Sequence, residues 1–229
     1  MKNNWQLLID KNDIRKCTIS APAQFTSLAE GQILVQIDKL ALTSNNVTYA
    51  ILGKPYKYWN FFPSGQEDMG RLPAWGFAEV IASKHEGIPV GERLYGYFPT
   101  ASQLVIQAGK INDFSILDTS AHRAELPGVY NNYTRTKNDV GYRPDYEELQ
   151  ALFHPLFITS FLLEDFLFEH NYFEGNQLVV TSASSKTAIA FAFAMAKREG
   201  KTPKLIGMTS SSNMDFVKCV STILYESIC

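Results

Sequence analysis

The amino-acid sequence predicts an α/β protein in two parts, a β-rich domain followed by a parallel α/β domain. Short apolar segments separated by Gly, Pro and Asn fill residues 5–117, a pattern typical of antiparallel sheet. Further along, a continuous apolar strand precedes an alanine-rich helix and a second apolar strand. The two strands begin about 25 residues apart, which is the usual span of a right-handed β-α-β crossover.

Composition narrows the class of protein. The chain has 229 residues, 45% of them hydrophobic and 19% charged, as in globular proteins with one or two cores. Because its net charge is only −2 and its basic residues are scattered, we expect no nucleic-acid partner. Cys17, Cys219 and Cys229 are too far apart for a disulfide framework or a Cys-x-x-Cys metal site. Together with the lack of a signal-peptide pattern, this predicts a cytoplasmic location.

One stretch is apolar enough to raise the question of a membrane span. Leu152–Phe168 is interrupted by His154, Pro155, Glu164 and Asp165, and no apolar run reaches the roughly 20 residues that a membrane helix needs. We therefore expect a buried helix of a soluble protein, and no membrane partner.

The first domain is expected over residues 1–118. Its predicted strands are Ile33–Ile37, Glu79–Ala82 and Gln103–Ile106, and Gly91–Tyr97 is expected to turn a barrel corner. Residues 119–150 show no sustained period and are rich in Asn, Tyr, Arg, Asp and Pro, which predicts a connecting excursion between domains.

The second domain is expected over residues 151–229. A helical pattern covers Tyr146–Asn171, and Val220–Tyr225 is the candidate for a third, edge strand. Between them lies the β-α-β unit: strand Gln177–Thr181, helix Lys186–Arg198 and strand Pro203–Thr209.

The loop after the first of these strands is the main candidate binding site. In a parallel sheet it lies at a helix N-terminus, where unpaired N–H groups and the helix dipole favour phosphate. It lacks the glycines of the dinucleotide fingerprint, with Ala188 as a small residue at best. Plain N-capping of the helix explains the same serines without a ligand. The candidate phosphate-binding residues are Ser182, Ser184, Ser185, Lys186 and Thr187.

The segment after the second strand bears on the choice of cofactor. Thr209, Ser210 and Asn213 stand where an NAD site would place an acidic residue for the ribose hydroxyls. Neutral donors there tolerate a 2′-phosphate, so we expect NADPH rather than NADH. The alternative is a second capped helix start, at Ser212 or Asn213. The string Ser184–Thr187 also suggests the end of a P-loop, and a nucleotide triphosphatase stays a third alternative without its diagnostic glycines.

Three segments resemble the medium-chain dehydrogenase/reductase superfamily, in its zinc-independent, quinone-oxidoreductase-like branch. Gly31–Gly53 looks like that family's strand and substrate-side segment, Leu72–Val80 like its Pro-x-x-x-Gly-x-Glu turn, and Val90–Gly96 like its Val-Gly-Asp-Arg-Val strand. The order of elements is similar to that of an uncharacterised bacterial family of reductase-like proteins. The resemblance implies a GroES-like β-barrel domain followed by a Rossmann-type doubly wound domain.

The resemblance also implies a chemistry. Ser44 and Ala74 stand where zinc-dependent relatives have cysteine and histidine ligands, so no catalytic zinc is expected. The resemblance therefore implies hydride transfer from NADPH to a small-molecule substrate, at a carbonyl or an activated alkene. Ser44, Asn45 and Asn46 are the candidate substrate contacts, and Tyr49 is the candidate proton donor.

The family's doubly wound sheet has six strands, whereas residues 177–229 supply two clear ones. We therefore expect a truncated nucleotide domain, with an inactive reductase as one consequence and pairing of the open sheet edge, as in a homodimer, as another. Whether the chain is an enzyme stays open. A non-catalytic binding protein that keeps the fold is the alternative function.

Overall fold

A computed structural model describes residues 4–22 and 27–225 of the chain, with side chains as far as residue 220. The chain divides into two compact units, Met1–Leu152 and Phe153–Cys229. The described residues of the first unit form nine strands and one complete α-helix. Their bounds are β1 (Gln6–Asp10), β2 (Cys17–Ser20), β3 (Gln32–Ala41), α1 (Ser44–Ile51), β4 (Met69–Gly70), β5 (Pro73–Ser83), β6 (Arg93–Pro99), β7 (Gln103–Ile111), β8 (Ser115–Asp118) and β9 (Asn132–Arg135).

A closed antiparallel barrel forms the centre of the first unit. Its strands follow the order β3-β5-β6-β9-β8-β7, and a small sheet β2-β1-β4 lies outside it. Three of the four strands predicted in this region fall within longer barrel strands, because ladder hydrogen bonds continue through polar positions, and the fourth, Gly91–Tyr97, overlaps β6 from Arg93 onward. The predicted β-rich first domain is therefore confirmed.

Alternation along the strands fills the barrel interior. Ile33, Val35 and Ile37 of β3 are at most 6% exposed, while the residues between them are half-buried. Burial of each such side chain contributes about 1.5–3 kcal/mol. Gly76 of β5 allows the tightest approach of two strands, because a Cβ atom there would lie 2.0 Å from the carbonyl oxygen of Lys39.

Residues 119–150 are more than a connection. They supply β9, which pairs with β6 and β8 and closes the barrel. They also supply Arg123, which is 1% exposed and whose Nη1 donates to Asp118 Oδ2 (2.8 Å) and to the Tyr133 hydroxyl (3.0 Å). The expectation of an excursion outside both domains thus needs correction. Its polar composition reflects buried ion pairs and short turns, which leave no hydrophobic period in the sequence.

The second unit contains most of a long helix and a β-α-β unit. The elements are α2 (Glu147–Glu169), which begins in the first unit, β10 (Gln177–Val180), α3 (Lys186–Lys197), β11 (Lys204–Gly207) and α4 (Met214–Tyr225). Strands β10 and β11 pair in parallel, as predicted. The expected edge strand at Val220–Tyr225 is wrong, because this segment is helical. Its apolar residues recur at the three- and four-residue spacing of positions 217, 220 and 224.

Helix α2 forms where it was predicted, but the expectation that its apolar residues are buried is wrong. Among its exposed side chains are Phe157, Phe161 and Leu162, which are 42%, 46% and 58% exposed. The segment Pro144–Glu169 is also long and apolar enough, by composition, to cross a membrane. The mean hydropathy of its most apolar 18-residue stretch is 1.4, and 17% of that stretch is buried. Sequence periodicity reports apolar positions, whereas burial depends on what packs against them.

The link from α2 to β10 has unusual backbone. Asn171, Tyr172, Phe173 and Glu174 all have positive φ, between 49° and 62°. Left-handed conformations cost roughly 1–2 kcal/mol for each L-residue. The buried ring of Tyr172 holds the turn in place, since its hydroxyl donates to Glu164 Oε1 over 3.0 Å.

Candidate functional site

The loop between β10 and α3 turns sharply at Ser182. Its φ of 52° lies in the left-handed region, where dinucleotide-binding loops place glycine. The Ser185 amide donates to the Ser182 carbonyl at 2.8 Å, and the Ser185 hydroxyl caps α3 by accepting from the Ala188 amide at 3.2 Å. Ser185 therefore performs the N-capping that the sequence offered as an alternative to phosphate binding.

Ser184 joins the loop after β10 to the segment after β11. Its Oγ accepts from Asn213 Nδ2 at 3.1 Å and from Thr209 Oγ1 at 3.5 Å. Both loops follow the carboxyl ends of neighbouring parallel strands, the edge of a sheet at which such folds bind ligands. Three of the eight predicted cofactor-binding residues are thus in one hydrogen-bonded cluster.

The same cluster leaves donors available. Because Ser184 Oγ accepts two hydrogen bonds, its proton points elsewhere, and no acceptor for it occurs in the described part of the chain. The amides of Lys186 and Thr187 lie in the first turn of α3, where no intrahelical acceptor exists. These donors and the exposed ammonium of Lys186 form a surface that suits an anion such as phosphate.

A glycine keeps the two loops close. A Cβ atom at Gly207 would lie 3.0 Å from Ala183 Cβ, and the Ala183 amide donates to the Met208 carbonyl at 2.9 Å. Beyond it, Ser210 and Ser212 share a hydrogen bond of 3.0 Å. The turn over Ser211–Asn213 that precedes α4 has no side-chain cap at Ser210. Capping of α4 by Ser212 or Asn213 stays a prediction.

No signal in the sequence pointed to the residues that hold α3 against α2. Ser160 is fully buried, and its Oγ lies 2.8 Å from the Thr187 carbonyl oxygen and 2.9 Å from that of Leu156. One turn further on, Glu164 accepts from Arg198 Nε at 3.0 Å. Ser160 thus fixes the first turn of α3, the turn that carries Lys186.

The predicted substrate contacts lie on α1 in the first unit. Asn46 is 5% exposed, its Oδ1 accepts from the Thr43 amide at 2.6 Å, and its Nδ2 donates to the Pro73 carbonyl at 2.9 Å. Its side chain is therefore engaged within the fold, as half of a capping box, and a substrate contact by Asn46 stays a prediction. Ser44 and Asn45 are exposed in the first turn of α1 and remain candidates.

Tyr49 lies in an aromatic cluster. Its ring centroid is 4.6 Å from that of Tyr58 and 6.1 Å from that of Tyr97, and the tilted ring of Tyr130 lies 4.7 Å from that of Tyr97. Burial, reinforced by Tyr58, raises the pKa of Tyr49. The phenol thus stays protonated near neutral pH and can donate a hydrogen bond, while giving up its proton is made harder.

Metal ligation has no visible basis in the part of the chain that is described. No group of three His, Cys, Asp or Glu side chains there could hold a metal ion. Zinc independence stays a prediction from Ser44 and Ala74.

Family comparison decides where the chain belongs. Residues 40–228 match the family model "Protein of unknown function (DUF2855)". The chain belongs to the DUF2855 family. The match includes five of the six barrel strands, β5 to β9, together with α1 and the cluster around Ser184. No curated protein matches this DUF2855 chain.

Several solved structures have a similar fold. CurA from Vibrio vulnificus, crystallised with NADPH, aligns with a TM-score of 0.54 at 15% identity, over 93% of the DUF2855 chain and 54% of its own. The mitochondrial 2-enoyl thioester reductase Etr1p/Etr2p from Candida tropicalis aligns at 0.52 and 10% identity, over 97% and 59%. The human synaptic vesicle membrane protein VAT-1 homolog-like protein aligns at 0.52 and 13%, over 95% and 59%.

These neighbours confirm the predicted fold, a GroES-like barrel followed by a Rossmann-type domain. At such low identity they show the fold alone. The DUF2855 chain spans between 54% and 59% of the length of these three structures.

Proposed function

We propose that the chain binds NADPH through the loops after β10 and β11, as part of a zinc-independent reductase. The observation that carries the proposal is the Ser184 cluster, which ties together Thr209 and Asn213 beside the first turn of α3. It supplies hydroxyl, amide and ammonium donors at the carboxyl edge of a parallel sheet, the chemistry that a pyrophosphate requires.

The residues present fit the cofactor's phosphates better than its other parts. Lys186, Ser182 and the first amides of α3 would hold the pyrophosphate, and Thr209, Ser210 and Asn213 would accommodate a 2′-phosphate, since none of the three carries negative charge. When bound, NADPH supplies a hydride for a carbonyl or an activated alkene. In this proposal Ser44 and Asn45 contact the small-molecule substrate and Tyr49 supplies a proton.

The binding test uses a fluorescence titration of the purified chain with NADPH and with NADH. We expect tighter binding of NADPH, and we expect Lys186→Glu to weaken it by about tenfold or more because a cation at the helix N-terminus becomes an anion. A glutamate in the first turn suits a helix dipole, so the loss would not come from unfolding of α3. Lys201→Glu, an equal charge change at another exposed lysine, is the matched control.

Two outcomes would count against cofactor binding: no NADPH affinity in the wild-type chain, or equal losses in Lys186→Glu and Lys201→Glu. A second test concerns discrimination. Thr209→Asp should lower NADPH affinity and spare NADH, because a carboxylate repels the 2′-phosphate and accepts from a ribose hydroxyl.

A non-catalytic, cofactor-binding protein is the second candidate. Two observations favour it: Asn46 is used up by the fold, and the raised pKa of Tyr49 makes proton release harder. Oxidation of NADPH in the presence of an enone or a quinone separates the two functions. Turnover that falls in Tyr49→Phe without a change in NADPH affinity would support the reductase, whereas binding without turnover would support the second candidate.

A further inference from the structure

Four tyrosines of the first unit meet in one place, although each comes from a different segment. Tyr49 lies in α1, Tyr58 in a short turn after α1, Tyr97 in β6 and Tyr130 just before β9. The ring centroids of Tyr49 and Tyr58 are 4.6 Å apart. Those of Tyr97 and Tyr130 are 4.7 Å apart, and Tyr49 lies 6.1 Å from Tyr97. We call these four residues the tyrosine cluster.

Tyr97 is the innermost member of the tyrosine cluster. Its side chain is 0% exposed, whereas the other three members are only half-buried. The Tyr97 hydroxyl has no hydrogen-bond partner among the described residues. A buried hydroxyl without a partner costs free energy that a phenylalanine would not, because its hydration is lost and nothing replaces it. Packing alone therefore does not explain a phenol at this position.

A buried network and an aromatic contact hold Tyr97 in place. The Tyr133 hydroxyl donates to the Tyr97 carbonyl oxygen at 3.1 Å and accepts from Arg123 at 3.0 Å. Arg123 is paired in turn with Asp118, and both are buried. The Tyr97 ring also packs edge-on against Phe61, with centroids 5.5 Å apart. A donor fixed in this way keeps its direction when a ligand binds, which is what stabilisation of a charged ligand atom requires.

The phenols of the tyrosine cluster influence one another's ionisation. Burial raises the pKa of Tyr97, and the negative charges that the other three members would carry as phenolates raise that pKa further. Burial also raises the pKa of Tyr130 to about 12, with smaller contributions from Tyr58 and Tyr49. Tyr49, Tyr97 and Tyr130 therefore stay protonated near neutral pH and present hydrogen-bond donors. The raised pKa of Tyr49, which is unfavourable for an acid, is no obstacle to a donor.

Such donors suit a ligand oxygen that bears negative charge. A hydroxyl can accept one hydrogen bond while it donates another, so the Tyr97 proton can be donated to a neighbouring phenol that itself donates to the ligand. Hydrogen bonds to charged groups are the stronger kind, and bonds in a chain strengthen one another. Trp75, whose ring centroid lies 5.2 Å from that of Tyr97, adds an aromatic face that favours a planar ligand.

We propose that Tyr58, Tyr97 and Tyr130 form, together with Tyr49, a binding site for a planar oxyanion such as a phenolate or an enolate. Tyr58 and Tyr130 donate to the ligand oxygen. Tyr97 is a positioning residue that donates to one of these two hydroxyls.

The binding site needs no cofactor, whereas its use in a reaction rests on the proposed reductase function. In that reaction a hydride from NADPH bonds to the β-carbon of a conjugated carbonyl compound, and NADPH leaves as NADP⁺. The π electrons of the alkene shift towards the carbonyl oxygen, which becomes an enolate oxyanion. The tyrosine cluster stabilises this oxyanion until a proton reaches the α-carbon.

The first experiment titrates the purified chain, without NADPH, with 4-nitrophenol and with its neutral methyl ether, 4-nitroanisole. The phenolate form of 4-nitrophenol absorbs visible light and the phenol form does not. Absorbance at a pH just below the probe's own pKa therefore reports how much of the probe ionises on binding. We expect the protein to increase this absorbance, and to bind the phenolate about tenfold or more tighter than 4-nitroanisole.

Variants that remove one hydroxyl and keep the ring locate the site. Tyr58→Phe and Tyr130→Phe should each weaken phenolate binding by about tenfold and leave 4-nitroanisole binding unchanged. The matched control is Tyr56→Phe. The Tyr56 ring stacks on Tyr58 with centroids 6.4 Å apart, but Tyr56 is 64% exposed and lies outside the tyrosine cluster. It should bind both probes as the wild type does, and circular dichroism melts establish that every variant folds.

Tyr97→Phe separates a role in binding from a role in packing. Loss of a buried hydroxyl without a partner should leave the melting temperature unchanged or raise it, yet weaken phenolate binding by about threefold or more. Unchanged phenolate binding in this variant would overturn the positioning role of Tyr97.

Three outcomes would overturn the site as a whole. They are a wild-type chain that ionises no probe, equal binding of the phenolate and 4-nitroanisole, and equal losses in Tyr56→Phe and Tyr58→Phe. Because the titration contains no cofactor, its failure is distinct from a failure to bind NADPH. Phenolate binding by a chain without NADPH affinity would support the site and count only against its use in a reductase.

Discussion

Glu147 should control the acid stability of the first unit. Its carboxylate accepts from Arg93 Nε (2.8 Å), Arg93 Nη2 (2.7 Å) and the Tyr142 hydroxyl (2.8 Å), and it lies 3.0 Å from Lys39 Nζ. Burial by itself would raise the pKa of Glu147. The hydrogen bonds from Arg93, Tyr142 and Lys39 outweigh that effect and lower the pKa to about 2, from an ordinary 4.5.

The magnitude follows from the shift between the folded and unfolded chain. Each pKa unit corresponds to about 1.4 kcal/mol, so a carboxylate held near 2 contributes about 3 kcal/mol at neutral pH. Because the folded pKa is the lower one, this stabilisation is present above pH 4.5 and is lost as the pH falls towards 2. At pH 3 about 1 kcal/mol should remain.

The assay is urea unfolding of wild type and Glu147→Gln at pH 7, 5 and 3. The three tryptophans, Trp5, Trp59 and Trp75, all lie in the first unit, so their fluorescence reports on that unit without the second. We expect Glu147→Gln to lower the unfolding free energy by about 3 kcal/mol at pH 7 and by about 1 kcal/mol at pH 3. A difference that does not vary with pH would refute the assignment of the stabilisation to the charged carboxylate.

Three further substitutions test the fold and the candidate loop. Asp118→Asn removes the anion beside the buried Arg123 and should cost about 3–5 kcal/mol in urea unfolding; an effect below 1 kcal/mol would mean that the guanidinium finds another partner. Gly76→Ala places a Cβ atom 2.0 Å from the Lys39 carbonyl oxygen. It should destabilise the barrel by about 1–3 kcal/mol or more, as measured by urea unfolding monitored by tryptophan fluorescence. Ser182→Gly relieves a left-handed φ and should raise the free energy of unfolding of the second unit by about 1 kcal/mol, measured by circular dichroism; destabilisation would show that the serine hydroxyl holds the loop.

Local signals determined the parts of the structure that depend on neighbours in sequence. The alternation of apolar and polar residues predicted the barrel strand that carries Ile33, Val35 and Ile37, because alternation is typical of a strand with one buried face. Continuous apolar runs predicted β10 and β11, because such runs are typical of parallel strands covered on both faces. The serine-rich loop after β10 was also predictable, since parallel strands place such loops beside helix N-termini. The strand predicted at Val220–Tyr225 was wrong for the same local reason. Its β-branched residues suggest a strand, whereas the helical spacing of apolar residues over a longer stretch indicates the helix that forms.

Tertiary structure decided what composition hides. The Arg123–Asp118 pair made residues 119–150 part of the barrel, although polar residues in a sequence indicate a surface loop. Asn46 and Ser160 have positioning roles that the sequence does not reveal, because their partners, Pro73 and Thr187, each lie 27 residues away along the chain. Contacts with segments distant in sequence also decided which side chains of α2 are buried.

The sequence by itself determined the outline of the fold: a barrel, then a parallel β-α-β unit with a donor-rich loop. Those features rest on residue type and spacing, which the chain carries locally. Only the tertiary structure showed that Ser184 joins Thr209 and Asn213, and that α2 turns its polar side inward and its apolar side out. Both depend on contacts between segments distant in sequence, because the free energy of a side chain is set by the atoms packed around it.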